Sequence, residues 1–286
     1  MSARSSKKVT PLSRLLRRLD LDERGGDEFE GNPGSGEGRL FGGMVAAQAF
    51  VACARTVPAD RPLHSLHAYF MRPGRHAEPI RFRVERARDG RTFTTRRLAA
   101  EQRGEEIFTM SASFCLPEDG ISHQMKPMPA APPPEGLQDW EDLRASILGE
   151  RRPPGALEVR DCDPESADPA VRSEPYRRIW MRPNGDMPED PLEHMALLVF
   201  ATDRTLLSSA ARPHGLTWDR RVGASLDHAV WVHRQPHFDG WMLYESESPV
   251  AHAARALVHG AIYAPDGTRV ASVAQEGILR LARSRQ

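Results

Sequence analysis

The two halves of this 286-residue chain share a sequence pattern. The matching segments are LHAYFMR (66–72) with DHAVWVH (227–233), and QRGEEIFTMSASF (102–114) with PDGTRVASVAQEG (265–277). His67 aligns with His228 at an offset of 161 residues. Gly104 aligns with Gly267 at an offset of 163 residues. Two nearly equal offsets indicate that the chain contains two copies of one structural unit.

Each copy is predicted to contain one helix followed by several strands. The predicted helices lie in GRLFGGMVAAQAF (38–50) and LLVFATDRTLLSSA (197–210). The predicted strands are IRFRVERA (80–87), RRLAAEQ (96–102), IFTMSASF (107–114), AVWVHR (229–234), WMLYESES (241–248) and RVASVAQEGIL (269–279). Asp-Gly turns in RDGRT and PDGTR are typical of hairpins, so neighbouring strands are expected to be antiparallel. The sequence therefore predicts an α+β fold of two units, each with a sheet wrapped around one helix.

A proline-rich stretch, LPEDGISHQMKPMPAAPPPEG (116–136), divides the chain near its middle and is typical of a linker or surface lid. We expect three parts on this basis. They are an N-terminal unit with a short leading helix (1–115), a linker (116–155) and a C-terminal unit (156–286).

Composition excludes several classes of function. Lys and Arg total 39 and so do Asp and Glu, so the balanced charge gives no sign of nucleic-acid binding. The clearest apolar run, MALLVFA (195–201), is too short to cross a membrane, and no membrane insertion is expected. The three cysteines have no CxxC spacing, which favours a reducing compartment such as the cytoplasm.

The segment SLDHAVWVHR (225–234) is rich in residues that could form a nucleophile or metal site. In a strand, Ser225 and Asp227 would share one face while His228 faces the other, which excludes a local Ser–His–Asp triad. His228 and His233 would also face opposite sides, and no HExxH motif is present. We therefore expect neither a serine nucleophile nor a metal site here.

Several ordered blocks together resemble the acyl-CoA thioesterase II family. They are FGGMVAAQAF (41–50), LHSLHAYFMRPG (63–74), RDGRTFTTRRLAAEQRGEEIFTMSASF (88–114), RIWMRPNGDMPEDP (178–191), LDHAVWVHR (226–234) and VASVAQEGILR (270–280). The resemblance covers about residues 12 to 280. It implies a double hotdog fold and hydrolysis of acyl-CoA thioesters without a metal or bound cofactor. Pairing of sheet edges or faces would make the protein a homodimer or homotetramer.

The resemblance also implies which residues act. In the family, activity rests on an Asp at the start of the second helix, a Thr or Ser on the following strand and a Gln on a late strand. On this chain these residues are Asp203, Ser225 and Gln275. Many members carry Gln where Met44 stands here, and bacterial members commonly have Thr at the position of Ser225.

The internal repeat offers a comparison that does not depend on the family. At the two offsets, the three residues align with Gly42, His64 and Ala112, which lack the same chemistry. One working site per chain is therefore expected. His67 and His228 recur in both halves, which favours a structural role for His228.

Side-chain chemistry suggests how such a site would work. An Asp near a helix N-terminus would be held ionised by the helix dipole, with a lowered pKa, and would orient a water for direct attack on the thioester. Backbone N–H groups at Gly42 and Gly43 are candidates for binding the substrate carbonyl oxygen. Two alternatives remain open: a hotdog enoyl-CoA hydratase, and a non-catalytic acyl-CoA-binding module.

Overall fold

The computed structural model describes residues 9–163, 171–216 and 221–282. Its strands are β1 (Asp22–Gly25), β2 (Glu28–Gly31), β3 (Leu63–Phe70), β4 (Ile80–Asp89), β5 (Phe93–Gln102), β6 (Glu105–Cys115), β7 (Leu157–Asp161), β8 (Tyr176–Pro183), β9 (Arg221–Ser225), β10 (Asp227–Val232), β11 (Met242–His252), β12 (Arg255–Tyr263) and β13 (Arg269–Leu281). Its α-helices are α1 (Pro11–Leu19), α2 (Gly42–Ala54), α3 (Trp140–Leu148), α4 (Pro191–Thr202) and α5 (Ser208–Ala211).

All the described strands belong to one antiparallel sheet. Its order is β1-β2-β4-β5-β6-β3-β10-β13-β12-β11-β8-β7, and β9 pairs with β13 beside β10. The first half supplies β1 to β6 and the second half supplies β7 to β13, and the halves join where β3 pairs with β10. The order on one side of this junction mirrors the order on the other. The predicted α+β fold of two helix-and-sheet units is therefore confirmed.

The long helices α2 and α4 form the centre of the two units. Nearly every residue of α2 is buried, because its sequence GGMVAAQAFVACA is apolar all the way round. Helix α4 has the same character, and Asp190 caps its start by accepting from the Leu192 N–H. Among the described residues, no helix is both long and apolar enough to cross a membrane.

The register at the junction corrects the alignment of the repeat by one residue. Leu66 pairs with Val230 and Ala68 pairs with His228, and all four residues lie on the buried face of the sheet, so exchanging the halves places Leu66 on His228. His67 instead lies on the opposite face, where it is exposed and its ring meets that of Trp231 edge-on, with the ring centroids 5.2 Å apart. The inference that His67 and His228 share a structural role is therefore wrong.

The second half contains a segment that has no counterpart in the first half. Eight residues (55–62) connect α2 to β3, whereas residues 203–226 connect α4 to β10 and include α5 and β9. Asp203 and Ser225 lie at the two ends of this segment. Their alignment with residues of the first half is therefore wrong, whereas Gln275 on β13 and Ala112 on β6 do occupy equivalent positions.

The segment predicted as a linker (116–155) runs over the second half of the sheet and contains α3. The indole of Trp180 on β8 donates to the Pro132 carbonyl at 2.9 Å. Met128 and Leu137 pack on a small apolar cluster around Trp180 on the same side. These contacts fix the segment against the sheet.

Candidate active site

A cavity of about 650 Å³ opens between the two halves. Its apolar wall includes Phe41, Val45, Phe70, Phe108, Leu206 and Ile278. Asp203, Ser225 and Gln275 line it together with Gly42. The volume lies in the range of small-molecule sites, and a mainly apolar wall with a few convergent polar groups is the usual composition of such sites.

The three predicted site residues meet at this wall although they are far apart in sequence. The Gln275 amide donates to Ser225 Oγ. Ser225 Oγ in turn donates to Asp203 Oδ1 at 3.3 Å. Gln275 is held in the middle of β13 and is only 1% exposed, so its amide has a fixed position. The structure therefore brings together the three residues that the sequence indicated.

Asp203 lies at the end of a helix, not at its start. It is the C-cap of α4, because the helix ends at Thr202. The carboxylate instead faces the start of the other central helix, where the Gly43 N–H donates to Oδ2 at 2.8 Å. The prediction that Asp203 begins the second helix is wrong, but a helix N-terminus does contact its carboxylate.

Burial raises the pKa of Asp203 to about 6, although hydrogen bonds from Gly43, Ser225 and Gln275 favour the charged form. The predicted lowering of this pKa is therefore wrong. Its physical reason is that removal of the carboxylate from water costs more than the donors and the helix terminus return. A carboxylate of this basicity can accept a proton near neutral pH, which a carboxylate with a lowered pKa does poorly.

The glycine pair at the start of α2 permits the close approach of the two helices. A Cβ atom on Gly42 would lie 2.8 Å from Asp203 Oδ2, and one on Gly43 would lie 2.6 Å from the carbonyl oxygen of Phe200. The Gly43 N–H is directed at Asp203, whereas Gly42 lines the cavity. Substrate binding by the pair stays a prediction.

His228 joins the site, which the strand pattern did not predict. The alternation breaks at Leu226, between β9 and β10, where the Asp227 carboxylate accepts from the Glu276 N–H at 2.6 Å. Both Ser225 and His228 consequently contact Gln275, so their predicted placement on opposite faces is wrong. Asp227 is engaged by backbone and forms no triad with them. The irregular spacing of polar residues between Ser225 and His228 is the feature of the sequence that could have indicated this break.

Metal ligands do not gather at this site. Across residues 9–163, 171–216 and 221–282, no three His, Cys, Asp or Glu side chains form a group that could hold a metal ion. The polar side chains that do gather at the site are one carboxylate, one hydroxyl, one amide and one imidazole.

Two protein-family profiles match the chain. The profile described as acyl-CoA thioesterase matches residues 169–278. The profile described as acyl-CoA thioesterase N-terminal domain matches residues 32–115. Each profile falls on one of the two helix-and-sheet units.

Known relatives agree with the profiles. Human acyl-coenzyme A thioesterase 8 is 37% identical over 260 residues, which cover 85% of this chain and 81% of that protein. The structure of acyl-CoA thioesterase II TesB2 from Mycobacterium marinum has a TM-score of 0.79 and 39% identity, covering 96% of this chain and 99% of that one. A hot dog fold protein from Alicyclobacillus acidocaldarius has a TM-score of 0.75 at 19% identity, covering 94% and 99%. The chain therefore has the double hotdog fold and belongs to the acyl-CoA thioesterase II family.

Proposed function

We propose that this chain hydrolyses acyl-CoA thioesters to a carboxylic acid and free coenzyme A, by direct attack of a water molecule held by Asp203, Ser225 and Gln275. The observation that carries the proposal is the meeting of these three side chains at the wall of one cavity. The family of the chain supports the substrate class.

Asp203 acts as the general base. With a pKa of about 6 it is mostly ionised at neutral pH and still basic enough to accept a proton. It takes a proton from the water as the water oxygen bonds to the thioester carbonyl carbon. The carbon–sulfur bond then breaks, and the leaving sulfur takes the proton from Asp203. One water is consumed for each acid and each coenzyme A released.

Ser225 and Gln275 orient the water. The second N–H of the Gln275 amide can donate to the water oxygen, and the remaining lone pair of Ser225 Oγ can accept from the water; together with Asp203 they direct a lone pair of the water at the carbonyl carbon. Correct orientation of a bound reactant contributes several kcal/mol to lowering a barrier. The first turn of α2, at Gly42, lies at the same wall and supplies the positive end of a helix dipole for the developing oxyanion.

The cavity suits the two ends of the substrate. Its aromatic and aliphatic wall favours an acyl chain, because burial of apolar surface is the main driving force for binding such a chain. Arg39, Arg72 and Arg221 also line the cavity, and their positive charges favour a ligand that carries phosphates.

The test is release of free thiol from acyl-CoA by the purified protein, followed with a thiol reagent. We expect release from at least one of short, medium and long acyl chains. No release at any length would overturn the proposal. Loss of the conjugated absorbance of an enoyl-CoA without thiol release would instead indicate a hydratase, and binding of acyl-CoA without turnover would indicate a non-catalytic module.

A single-turnover experiment tests direct attack by water. With the protein in excess over acyl-CoA, we expect acid and coenzyme A to appear at the same rate. Intact-protein mass spectrometry should detect no added acyl group during the reaction. Accumulation of an acylated protein would contradict direct attack and indicate a covalent intermediate.

A further inference from the structure

We propose that His228 is a positioning residue, which fixes the orientation of the Gln275 amide and thereby keeps the Ser225 hydroxyl donating to Asp203. This inference rests on the proposed function of the site. His228 does not line the cavity and contacts the reacting groups only through Gln275.

Contacts on both ring nitrogens hold His228 in place. Its Nδ1 lies 3.0 Å from Gln275 Oε1, and its Nε2 lies 2.9 Å from Thr202 Oγ1. His228 and Gln275 are each 1% exposed, and Thr202 is fully buried. Because water does not reach these groups, each must find its hydrogen-bond partner within the protein.

The direction of each hydrogen bond in this series can be derived by starting from the Asp203 carboxylate. An ionised Asp203 only accepts, so Ser225 must donate to it. The Ser225 oxygen is then an acceptor toward Gln275, so the amide must present its NH₂ group to Ser225. That orientation leaves Gln275 Oε1 facing His228, and an amide oxygen only accepts.

The imidazole must therefore carry its proton on Nδ1. Burial lowers the pKa of His228 to about 4, so the ring is neutral at physiological pH and carries one proton. With that proton on Nδ1, Nε2 is an acceptor and lies 2.9 Å from Thr202 Oγ1, whose single proton can go to Nε2 or to the Val199 carbonyl oxygen at 2.8 Å. The donors thus run in one direction, from His228 through Gln275 and Ser225 to Asp203.

Comparison of the two halves supports a role specific to the site. In the first half, Leu66 on β3 pairs with Ala112 on β6. The equivalent positions in the second half are His228 on β10 and Gln275 on β13. The fold therefore needs only an apolar residue at this place, and the half that carries the site replaces an apolar pair by a hydrogen-bonded pair.

The other ionisable groups around Asp203 do not titrate in the same range. Tyr244 on β11 donates to the Thr202 carbonyl at 2.6 Å, and burial raises its pKa well above the ordinary value. Arg221 on β9 lines the same cavity, and burial lowers its pKa; a guanidinium is nevertheless basic enough to stay protonated around pH 6. The acid limb, which is the fall in activity on the low-pH side of the pH profile, can therefore be assigned to Asp203.

The first pair of variants, both at His228, tests the hydrogen bond that Nδ1 donates to Gln275. One variant removes the donor and the other keeps it. His228→Leu introduces the residue found at the equivalent position of the other half, and His228→Asn keeps an N–H near Nδ1. We expect His228→Leu to lower kcat about tenfold or more with KM changed less than about twofold. Its acid limb should move above pH 6, because loss of the Ser225 donor favours protonated Asp203. His228→Asn should recover most of kcat and the position of the limb.

A second pair of variants, at Thr202, tests the contact with Nε2 and leaves the His228 imidazole unchanged. Thr202→Val removes the hydroxyl at nearly constant volume and takes away the hydrogen-bond partner of Nε2, so the ring is held less firmly and orients the Gln275 amide less well. We expect this variant to lower kcat and move the acid limb in the same direction as His228→Leu. Thr202→Ser, which keeps the hydroxyl, should resemble the unsubstituted protein in both.

The outcomes separate this inference from the proposed function. If the unsubstituted protein hydrolyses acyl-CoA and both His228→Leu and Thr202→Val keep its kcat and acid limb, the positioning role is overturned while the function stands. Equal losses in His228→Leu and His228→Asn with an unmoved limb would show a packing role only, which also overturns it. If the unsubstituted protein releases no thiol, the proposed function itself fails.

Discussion

At the residue scale, the reactivity of Asp203 depends on a balance between burial and hydrogen bonding. Burial raises its pKa to about 6, while donors from α2, β9 and β13 limit the rise. The sequence identified Asp203, Ser225 and Gln275 through a resemblance, but not this basicity. The start of α2, which donates to the carboxylate, belongs to the other half of the chain, and no local pattern places α2 beside Asp203.

This balance predicts the pH dependence of activity. We expect kcat/KM to fall as the pH decreases through about 6, because protonated Asp203 cannot accept a proton from water. The measurement is kcat/KM for one acyl-CoA between about pH 4.5 and 8.5. A profile that stays level down to the lowest of these values would contradict a general-base role for Asp203.

Ser225 allows a matched comparison of hydroxyl and shape. Ser225→Thr keeps the hydroxyl that contacts Asp203 and Gln275, so we expect kcat within a fewfold of the unsubstituted protein. Ser225→Val has nearly the volume of Thr but no hydroxyl, and we expect a loss of about tenfold or more. Thiol-release assays measure kcat for both variants. Equal activities of the Thr and Val variants would exclude a role for the hydroxyl.

At the element scale, the site depends on the contact between the end of α4 and the start of α2. The Gly43 N–H binds Asp203, and the Cα of Gly43 approaches the Phe200 carbonyl too closely for a side chain. Apolar composition predicted both helices, but their relative position depends on contacts between residues about 160 apart. Sequence pattern also placed the second helix too late, because LLVFATDRTLLSSA is apolar well beyond Thr202.

Gly43→Ala tests this contact. The added Cβ would lie 2.6 Å from a backbone oxygen, which cannot rotate away, so the helix ends must separate. We expect a loss of about 1–3 kcal/mol in the free energy of unfolding and a fall in kcat of about tenfold or more. Chemical denaturation and thiol release measure the two effects.

Gly136→Ala is the matched control, because a Cβ at Gly136 meets nothing within 4 Å. It should leave both stability and activity nearly unchanged. Full activity in Gly43→Ala would show that the site tolerates separation of α2 from α4, contrary to the geometry described above.

At the scale of the whole molecule, one sheet continues through both halves and the site lies in an asymmetric part of this symmetric framework. The repeat in sequence predicted the framework, since strands keep their register on both sides of the β3–β10 junction. It could not predict the connection over residues 203–226, because an insertion has no counterpart to align with. The break at Leu226 within it also changes which side chains face Gln275. Assembly into a homodimer or homotetramer stays a prediction.

The raised pKa of Asp203 predicts a cost to global stability. The folded value of about 6 lies above the ordinary 3.8, so ionisation disfavours the folded state once the pH exceeds about 6. The cost amounts to about 3 kcal/mol above that pH and disappears below about pH 4. Asp203→Asn should therefore unfold at a higher denaturant concentration at pH 8, with little difference at pH 4. Equal stability of the two proteins at pH 8 would show that the charge carries no such cost.

The most direct test of the proposed site is the rate at which Asp203→Asn releases thiol from acyl-CoA, compared with the unsubstituted protein at pH 8. Asn keeps the shape of the side chain and can still accept from the Gly43 N–H, but it cannot take a proton from water. We predict a fall in kcat of about 100-fold or more in a protein that is folded and at least as stable. Undiminished kcat in the Asn variant would contradict the assignment of Asp203 as the base.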